Sequence, residues 1–304
     1  MQRIIIIVVV LLAIAVGAYF LVQNLPGREP APEVETPVAT VPVENEEGPV
    51  EEPTVDAEGE TTIGTSAGGR DITAYRFGTG ETELLFVGGI HGGYSWNTAL
   101  VAYELVDYLE ENPEVVPENV RVTVVPVLNP DGLEAVVGTD GRFTAADVPS
   151  VRAETIPGRF NANTVDLNRN FDCDWQESGT WQDTTVDGGS APFSEPESQA
   201  IRDYVAATDP DAVVVWYSAA GGVFASSCHN DVLPETRTLT TLYAEASGYR
   251  PYESFDFYAI TGDMVNWLAR EKIPAISVLL TTHSDVEWEK NRAGIDALLE
   301  RYAE

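Results

Sequence analysis

The segment "ELLFVGGIHGG", Glu83 to Gly93, is a short apolar run that ends in glycines around one histidine. A continuous apolar run of this length, followed directly by turn residues, indicates a β-strand that is buried on both faces. Such strands are typical of parallel sheets covered by helices, where functional side chains lie beyond the carboxyl ends of the strands. His91 stands at such a position and is therefore a candidate site residue.

Further apolar strands alternate with amphipathic helical segments through the rest of the chain. This alternation predicts an α/β domain with a mostly parallel or mixed central sheet and helices on both faces. The predicted strands span 72–77, 83–89, 120–128, 212–218 and 274–282. The predicted helices span 96–109, 195–207, 263–271 and 287–302.

Polar side chains follow several of these strands at the point where each strand ends. Because the carboxyl ends of parallel strands share one edge of a sheet, we expect these side chains to gather on one rim. They are His91, Asn129, Asp131, Tyr217, Ser218 and His283.

The N-terminus predicts a membrane anchor over residues 1–23. The 19 residues from Ile4 to Val22 carry no charge, which is long enough for one helix to cross a bilayer. Arg3 on the short side places the remainder outside the cytoplasm. The alternative is a cleaved signal peptide, for which Val16 to Ala18 offers small residues near a cleavage site. The domain would then be secreted.

Residues 24–60 have the composition of a disordered linker. Eleven Asp or Glu residues lie between Glu29 and Glu60, with frequent proline and no basic residue. Such a segment repels itself and cannot bury a core. We expect a tether that leads into one folded domain over 61–304.

The net charge of −32 argues against nucleic acid as a partner, because phosphate binding needs clustered Lys and Arg. Acidic side chains that are solvated at the protein surface are enough to explain this negative charge. The two cysteines, Cys173 and Cys228, lie in a domain expected to face an oxidising space, so one disulfide is the simplest assignment. Two free thiols, or metal binding by Cys228 with His229, remain alternatives.

Five motifs in order resemble the zinc carboxypeptidases of the carboxypeptidase A type. They cover nearly the whole predicted domain, from about Ile63 to Tyr302. They are "IGTSAGGRDITAYRFG" (63–78), "GGIHGG" (88–93), "NPDG" (129–132), "GRFNANTVDLNRNF" (158–171) and "YAITGDMVNW" (258–267).

The resemblance implies that the substrate-binding residues are retained. Arg159 matches an arginine that polarises the scissile carbonyl group in the family. Asn168 and Arg169 match a pair that binds the terminal carboxylate of the substrate, and Tyr258 matches a mobile tyrosine that covers the site. A guanidinium group suits a carboxylate because it donates two parallel hydrogen bonds. An ion pair with an acidic residue is the structural alternative for Arg169.

The same resemblance implies that the zinc site is incomplete. In the family, zinc is held by a His and a Glu in the first turn and by a second His at the end of a later strand. His91 is present, but Tyr94 and Ser95 occupy the Glu position, and Tyr217 occupies the second His position. The position of the Glu that acts as general base falls on Leu279, or on Leu280 if the register shifts by one residue, and neither can transfer a proton. We therefore expect no resident zinc.

Other residues offer no clear replacement. His229 would have to fold back toward the site, and His283 suits a supporting hydrogen bond better than a ligand role. Tyr217 would have to bind metal as a phenolate. Ser95 and Ser218 lack a recognisable His–acid pair. The glycine-containing segments 64–68 and 77–83 are predicted to be hairpin turns.

Two functional hypotheses follow. The first is a membrane-tethered, extracytoplasmic pseudopeptidase that keeps a pocket for the C-terminal carboxylates of peptides, including cell-wall peptides or protein tails. The second is an active zinc-dependent carboxypeptidase or amidase with a non-standard metal site. The first hypothesis is favoured, because the substrate-binding residues are retained while the metal ligands are missing. The retained residues are Arg159, Asn168, Arg169 and Tyr258.

Overall fold

The computed structural model describes residues 59–303, which form a three-layer α/β domain. Eight strands form one mixed sheet in the order β1-β2-β4-β3-β7-β10-β8-β9, and β5 and β6 form a separate hairpin. The strands are β1 (Gly59–Thr65), β2 (Asp71–Phe77), β3 (Thr82–Val87), β4 (Val120–Val125), β5 (Ser178–Trp181), β6 (Thr184–Asp187), β7 (Ala212–Ser218), β8 (Gly222–Ala225), β9 (Arg250–Tyr252) and β10 (Ala275–Leu280). The α-helices are α1 (Trp96–Glu111), α2 (Pro130–Val137), α3 (Pro196–Thr208), α4 (Pro234–Ser247), α5 (Met264–Arg270) and α6 (Trp288–Tyr302).

The centre of the sheet is parallel and its flanks are antiparallel. Strands β4, β3, β7 and β10 run parallel as neighbours. Strand β2 is antiparallel to β4, and β8 is antiparallel to β10. The parallel strands are the ones with continuous apolar sequence, as expected for strands buried on both faces.

Alternate residues of the central strands pack into two hydrophobic cores. On β7, Val213 and Val215 face the core that contains α3 and α5. Val214 and Trp216 face the opposite core, which contains α1, α4 and α6. Helices therefore cover both faces, and the predicted α/β fold with a large mixed sheet is confirmed.

Two local predictions differ from the structure. The segment after β4 is more than a turn, because Asn129 begins helix α2: its side chain accepts a hydrogen bond from the Gly132 amide at 2.8 Å. Residues 77–83 do not form a hairpin turn, because β4 lies between β2 and β3 in the sheet. Residues 64–68 do belong to a hairpin, which joins β1 to β2.

The glycines after His91 let this turn pack directly on the start of α2. Gly92 has φ 37°, and a Cβ atom there would lie 2.7 Å from the backbone of Gly132. A larger residue would therefore push the turn away from α2. The close packing that these glycines allow therefore sets the position of His91 relative to the sheet.

The predicted disulfide between Cys173 and Cys228 is confirmed, with a Cα–Cα distance of 6.1 Å. It leaves no free cysteine in residues 59–303, so the thiol and metal alternatives for these residues are wrong. His229, beside the disulfide, contacts Asp174 at 2.8 Å instead of folding back toward the strand ends.

The predicted anchor (1–23) and nearly all of the predicted linker (24–60) lie outside the described residues. Within residues 59–303, no helix is both long and apolar enough to cross a bilayer.

We expect the disulfide to contribute substantially to stability. The two cysteines are separated by 55 positions, and a cross-link of that span lowers the entropy of the unfolded chain. The double variant Cys173→Ser/Cys228→Ser should lose about 4 kcal/mol of unfolding free energy. Urea denaturation of the variant, compared with the oxidised and the reduced wild-type protein, measures the difference. Equal stability of all three would contradict this assignment.

Candidate functional site

A cavity of about 150 Å³ opens at the carboxyl ends of β7 and β10, beside the turn that follows β3. Most of the side chains predicted for the site line it. They are His91, Arg159, Asn168, Arg169, Tyr217, Ser218, Tyr258 and Leu279. The parallel strands thus bring together residues that are far apart in the sequence.

Three residues predicted to lie on this rim have other surroundings. The Asn129 side chain caps helix α2. Asp131 accepts hydrogen bonds from Ser66 and Arg70 and joins the β1–β2 hairpin to α2. The His283 ring packs against Tyr94 with a centroid distance of 5.3 Å, and its buried Nδ1 makes no hydrogen bond.

Asp166 is the centre of a charged network beneath the cavity. Its fully buried carboxylate accepts hydrogen bonds from Arg159 Nε at 2.9 Å and Nη2 at 2.7 Å. It also accepts a hydrogen bond from the backbone N–H of Asn168 at 3.2 Å. Burial alone would raise the pKa of Asp166, but the charge of Arg159 and the contact with His91 hold this pKa well below its usual range. Asp166 therefore stays ionised.

His91 is a neutral hydrogen-bond donor to Asp166. Burial, together with the charge of Arg159, lowers the pKa of His91 to about 4. Its Nε2 lies 3.2 Å from an Asp166 oxygen, which places the proton on Nε2 and leaves a lone pair on Nδ1. Nδ1 is buried and has no hydrogen-bond partner. It is a free acceptor at the cavity.

Arg169 is a buried cation without a carboxylate partner in the described part of the chain. Its residue is 2% exposed, and its guanidinium donates to two carbonyl groups, Thr180 O at 2.9 Å and Thr261 O at 3.4 Å. Gly262 packs directly on the backbone of Arg169, because a Cβ atom at position 262 would lie 2.3 Å from the Arg169 carbonyl oxygen. The Tyr258 ring lies 5.8 Å from Arg169 Cζ. The ion pair considered for Arg169 is not formed.

Arg159 is held by Asp166 on one side and by aromatic rings on the other. Its Cζ lies 4.5 Å from the Trp181 ring and 5.5 Å from the Tyr94 ring. Trp181 ends β5 in the acidic segment 172–189, so part of this segment borders the cavity. Two oriented guanidinium groups thus face one cavity in a strongly acidic protein.

At the first turn, no carboxylate takes the place of the missing family ligand. Tyr94 is buried, and its ring contacts Trp181 at 5.0 Å, edge to face. The Arg152 guanidinium lies over the same ring at 3.7 Å. Ser95 is also buried, and its hydroxyl makes no hydrogen bond. This turn is filled by aromatic and cation–π packing.

At the strand ends, Tyr217 and Leu279 are neutral neighbours in register. The Tyr217 hydroxyl donates to Asn168 Oδ1 at 3.0 Å. Burial raises the pKa of Tyr217 well above its ordinary value, so the phenolate needed for metal binding does not form near neutral pH. Leu279 brings an aliphatic side chain to the cavity.

The residues at this cavity do not fit the zinc site of the family. His91 Nδ1 is a suitable nitrogen ligand, but zinc in such sites needs three protein ligands. Among residues 59–303, the one group of three His, Cys, Asp or Glu side chains close enough to hold a metal is Cys173, Cys228 and His229. Both cysteines are used in the disulfide and are not available as metal ligands.

Two acidic residues of the site, Asp166 and Asp263, had no role predicted from the sequence. Asp166 stands within the quoted motif 158–171, and Asp263 lies just before α5 and lines the cavity. Their positions in the sequence could have indicated a role in the site, since each carboxylate stands in a segment whose other residues were assigned to substrate binding. Only the three-dimensional contacts separate them from the many solvated acids.

A family model described as zinc carboxypeptidase matches residues 60–285, about three quarters of the chain. The chain belongs to the zinc carboxypeptidase family. The resemblance drawn from the five motifs is therefore confirmed.

The relatives of this zinc carboxypeptidase-family chain include bacterial and animal proteins. It is 25% identical over 218 residues to γ-D-glutamyl-L-diamino acid endopeptidase 1 of Lysinibacillus sphaericus, covering 66% of this chain and 55% of that protein. It is 31% identical to mouse carboxypeptidase M over 36% of this chain and 25% of that protein. The chain thus spans about half, or less, of these curated relatives.

Solved structures share the fold at low sequence identity. Murein-tripeptide amidase MpaA from Escherichia coli O157 has a TM-score of 0.57 at 22% identity, covering 80% of this chain and 92% of that chain. Carboxypeptidase A from Helicoverpa armigera has a TM-score of 0.57 at 20% identity, covering 82% of this chain and 68% of that chain.

The network around Asp166 predicts a large difference between two neighbouring acids. Asp166→Asn leaves the buried Arg159 without its counter-charge and should cost about 3–5 kcal/mol of unfolding free energy. Asp172→Asn is the matched control, because the Asp172–Arg270 pair is about half exposed and should cost less than about 1 kcal/mol. Chemical denaturation of both variants measures the difference. Similar losses would refute the organising role of Asp166.

Proposed function

We propose that this chain is a membrane-tethered, extracytoplasmic member of the zinc carboxypeptidase family that binds the C-terminal carboxylates of peptides and does not hydrolyse them. In this proposal Arg169 and Asn168 bind the carboxylate, Arg159 contacts the preceding carbonyl group, and Tyr258 covers the bound residue. No nucleic acid takes part, because the acidic chain lacks the clustered positive charge that nucleic acid binding requires.

The observation that carries the proposal is the state of Arg169. A buried guanidinium is costly unless an anion or several hydrogen bonds compensate its charge. Here only two carbonyl oxygens accept from it, and no carboxylate of the described chain forms an ion pair with it. A peptide carboxylate entering the cavity supplies the missing charge with the geometry that arginine favours.

The absence of hydrolysis is inferred from the chemistry of the other side chains. Peptide hydrolysis by this fold needs a metal or a base to activate water. Leu279 cannot accept a proton, and Tyr94 and neutral Tyr217 supply no metal ligand. The Ser218 hydroxyl donates to Asn97 Oδ1 at 2.9 Å, which supports no nucleophile activated by a histidine.

Cell-wall peptides are the proposed partners. Two relatives carry names that refer to such molecules, murein tripeptide and γ-D-glutamyl-L-diamino acid peptide. A domain tethered on the outer side of the membrane by residues 1–23, at the end of an acidic linker, would be placed where these peptides occur.

An active zinc-dependent carboxypeptidase or amidase with a non-standard metal site is the second candidate. Family membership and the unpartnered Nδ1 of His91 are the observations that favour it. It requires ligands that would have to come from residues other than the family set.

Carboxylate binding should depend on Arg169 and on a free peptide C-terminus. We expect Arg169→Ala to weaken the binding of a fluorescein-labelled peptide about 100-fold, because a buried charge-assisted contact is lost. Amidation of the peptide should weaken binding to the wild-type chain to a similar extent. Fluorescence anisotropy with the full-length chain in detergent measures both effects.

Arg292→Ala is the matched control, since Arg292 is an exposed arginine on α6 that pairs with Glu289. It should leave the affinity unchanged. If amidated and free peptides bind equally well to the wild-type chain, the carboxylate-binding proposal is wrong.

Metal content and hydrolysis should change together when the missing family residues are restored. We expect the wild-type chain to hold no stoichiometric zinc and to release no C-terminal residue. The triple variant Tyr94→Glu/Tyr217→His/Leu279→Glu should bind zinc and gain activity, because it adds two ligands to His91 and restores the base on an intact scaffold. Elemental analysis and mass spectrometry of test peptides give the two readouts. One tightly bound zinc per wild-type chain, with release of C-terminal residues, would establish the second candidate instead.

A further inference from the structure

The side-chain amide of Asn168 is held in one orientation by two hydrogen-bond donors. Its Oδ1 accepts from the Tyr217 hydroxyl at 3.0 Å and from the backbone N–H of Met264 at 3.3 Å. Because a backbone N–H is only a donor, the Asn168 atom that faces Met264 has to be the oxygen. The Tyr217 hydroxyl faces the same oxygen and therefore also donates.

The opposite end of this amide, Nδ2, is left for the cavity. Asn168 lines the cavity, and within residues 59–303 its Nδ2 makes no hydrogen bond. The nitrogen also stays accessible and is not enclosed by protein atoms. A carboxylate only accepts hydrogen bonds, so it matches the N–H donors of Nδ2. This nitrogen therefore suits the carboxylate that we propose to bind Arg169.

Tyr217 reaches Asn168 from a central strand of the sheet. It pairs in register with Leu279 of β10, is 7% exposed, and packs in the core that contains α3 and α5. Its ring lies 6.0 Å from the His91 ring, centroid to centroid. In the described part of the chain, its hydroxyl forms a hydrogen bond to Asn168 alone. The sheet thus sets the position of this donor.

The second donor matters because the bond from Met264 is long. Its 3.3 Å exceeds the usual N–H···O distance of about 3 Å, so this bond alone holds the amide weakly. If the amide turned over, Oδ1 would face the cavity and repel a carboxylate. The Tyr217 hydroxyl opposes that rotation. The amide is thereby oriented before a ligand arrives, and such pre-organisation raises affinity without a new contact to the ligand.

We propose that Tyr217 is a positioning residue for peptide binding, whose hydroxyl fixes the Asn168 amide so that Nδ2 faces the carboxylate of the ligand. Tyr217 does not itself contact that carboxylate. This inference rests on the proposed function, because it assumes that the carboxylate binds in the cavity. It gives a binding role to the residue that stands where the family has its second His ligand.

The first test is Tyr217→Phe, which removes the hydroxyl and keeps the ring. We expect this variant to bind a fluorescein-labelled peptide with a free C-terminus about tenfold more weakly than the wild-type chain, because Asn168 loses a buried hydrogen bond. Binding of the amidated peptide should weaken about twofold or less, since it carries no charge for the oriented N–H groups to stabilise. Fluorescence anisotropy with the full-length chain in detergent gives the dissociation constants.

Tyr243→Phe is the matched control. Tyr243 is also buried, and its hydroxyl donates to an asparagine oxygen, Asn291 Oδ1, at 2.8 Å in the opposite core. The variant therefore removes the same kind of hydrogen bond from a residue that does not line the cavity. It should keep the wild-type affinity for both peptides. Thermal unfolding of both variants verifies that they are folded.

A double-mutant cycle tests whether Tyr217 acts through Asn168. In the Asn168→Ala background, Tyr217→Phe should have no further effect on the affinity for the free peptide, because the group that the hydroxyl orients is gone. Asn168→Asp is a further variant that leaves Tyr217 unchanged. Its carboxylate still accepts from Tyr217 and Met264 but has no N–H to donate, so the free peptide should bind at least about tenfold more weakly.

The outcomes separate this inference from the proposed function. The inference is overturned if Tyr217→Phe weakens both peptides equally or leaves both unchanged, or if its effect adds to that of Asn168→Ala. The ratio of the two peptide affinities decides alone if Asn168→Ala binds too weakly to be measured. If Tyr217→Phe does not fold, wild-type affinity of Asn168→Asp for the free peptide overturns the inference. Equal binding of free and amidated peptides to the wild-type chain would instead refute the proposed function.

Discussion

The site depends on one buried carboxylate, Asp166, and on the charges gathered around it. Its two oxygens accept hydrogen bonds from the side chains of Arg159 and His91 and from the backbone N–H of Asn168, which come from different loops. A buried anion is tolerated only when it is fully paired, so each partner is held in a defined orientation. One side chain thereby fixes the orientation of Arg159, the tautomer of His91 and the start of the segment that contains Arg169.

The fold and the residues at the strand ends could be predicted because they obey simple periodicity. Apolar runs indicated the strands of the parallel centre, and parallel strands present their carboxyl ends on one rim. The loop 77–83 was misassigned for a physical reason: its glycines suit a tight turn, but β3 pairs with β4 and β7 instead of β2. Strand order depends on long-range pairing, which local turn chemistry does not specify.

The roles of Asp166 and Asp263 could not be predicted in the same way. The chain contains 49 Asp and Glu residues, and composition gives each of them the same expectation of being solvated. Burial and the identity of neighbours decide which carboxylate organises a site and which remains unpaired. Helix α4 was also not predicted. It packs on α6 and the sheet, and these long-range contacts are not visible in its local sequence.

The three replacements at the family's metal and base positions make electrostatic sense as a set. A zinc site of this family combines a divalent cation with two nearby carboxylates, one a ligand and one the base. Loss of the cation alone would leave two buried anions without compensation, which is strongly destabilising. With Tyr94 and Leu279 at the carboxylate positions, both anions are absent as well. Neutral Tyr217, whose hydroxyl donates to Asn168 Oδ1, stands at the position of the second His ligand. Of the charges that remain, Arg159 is paired with Asp166, whereas the Arg169 guanidinium donates to carbonyl groups and forms no ion pair within residues 59–303. In the proposed function, the cavity keeps residues suited to binding a peptide carboxylate without the residues needed for hydrolysis.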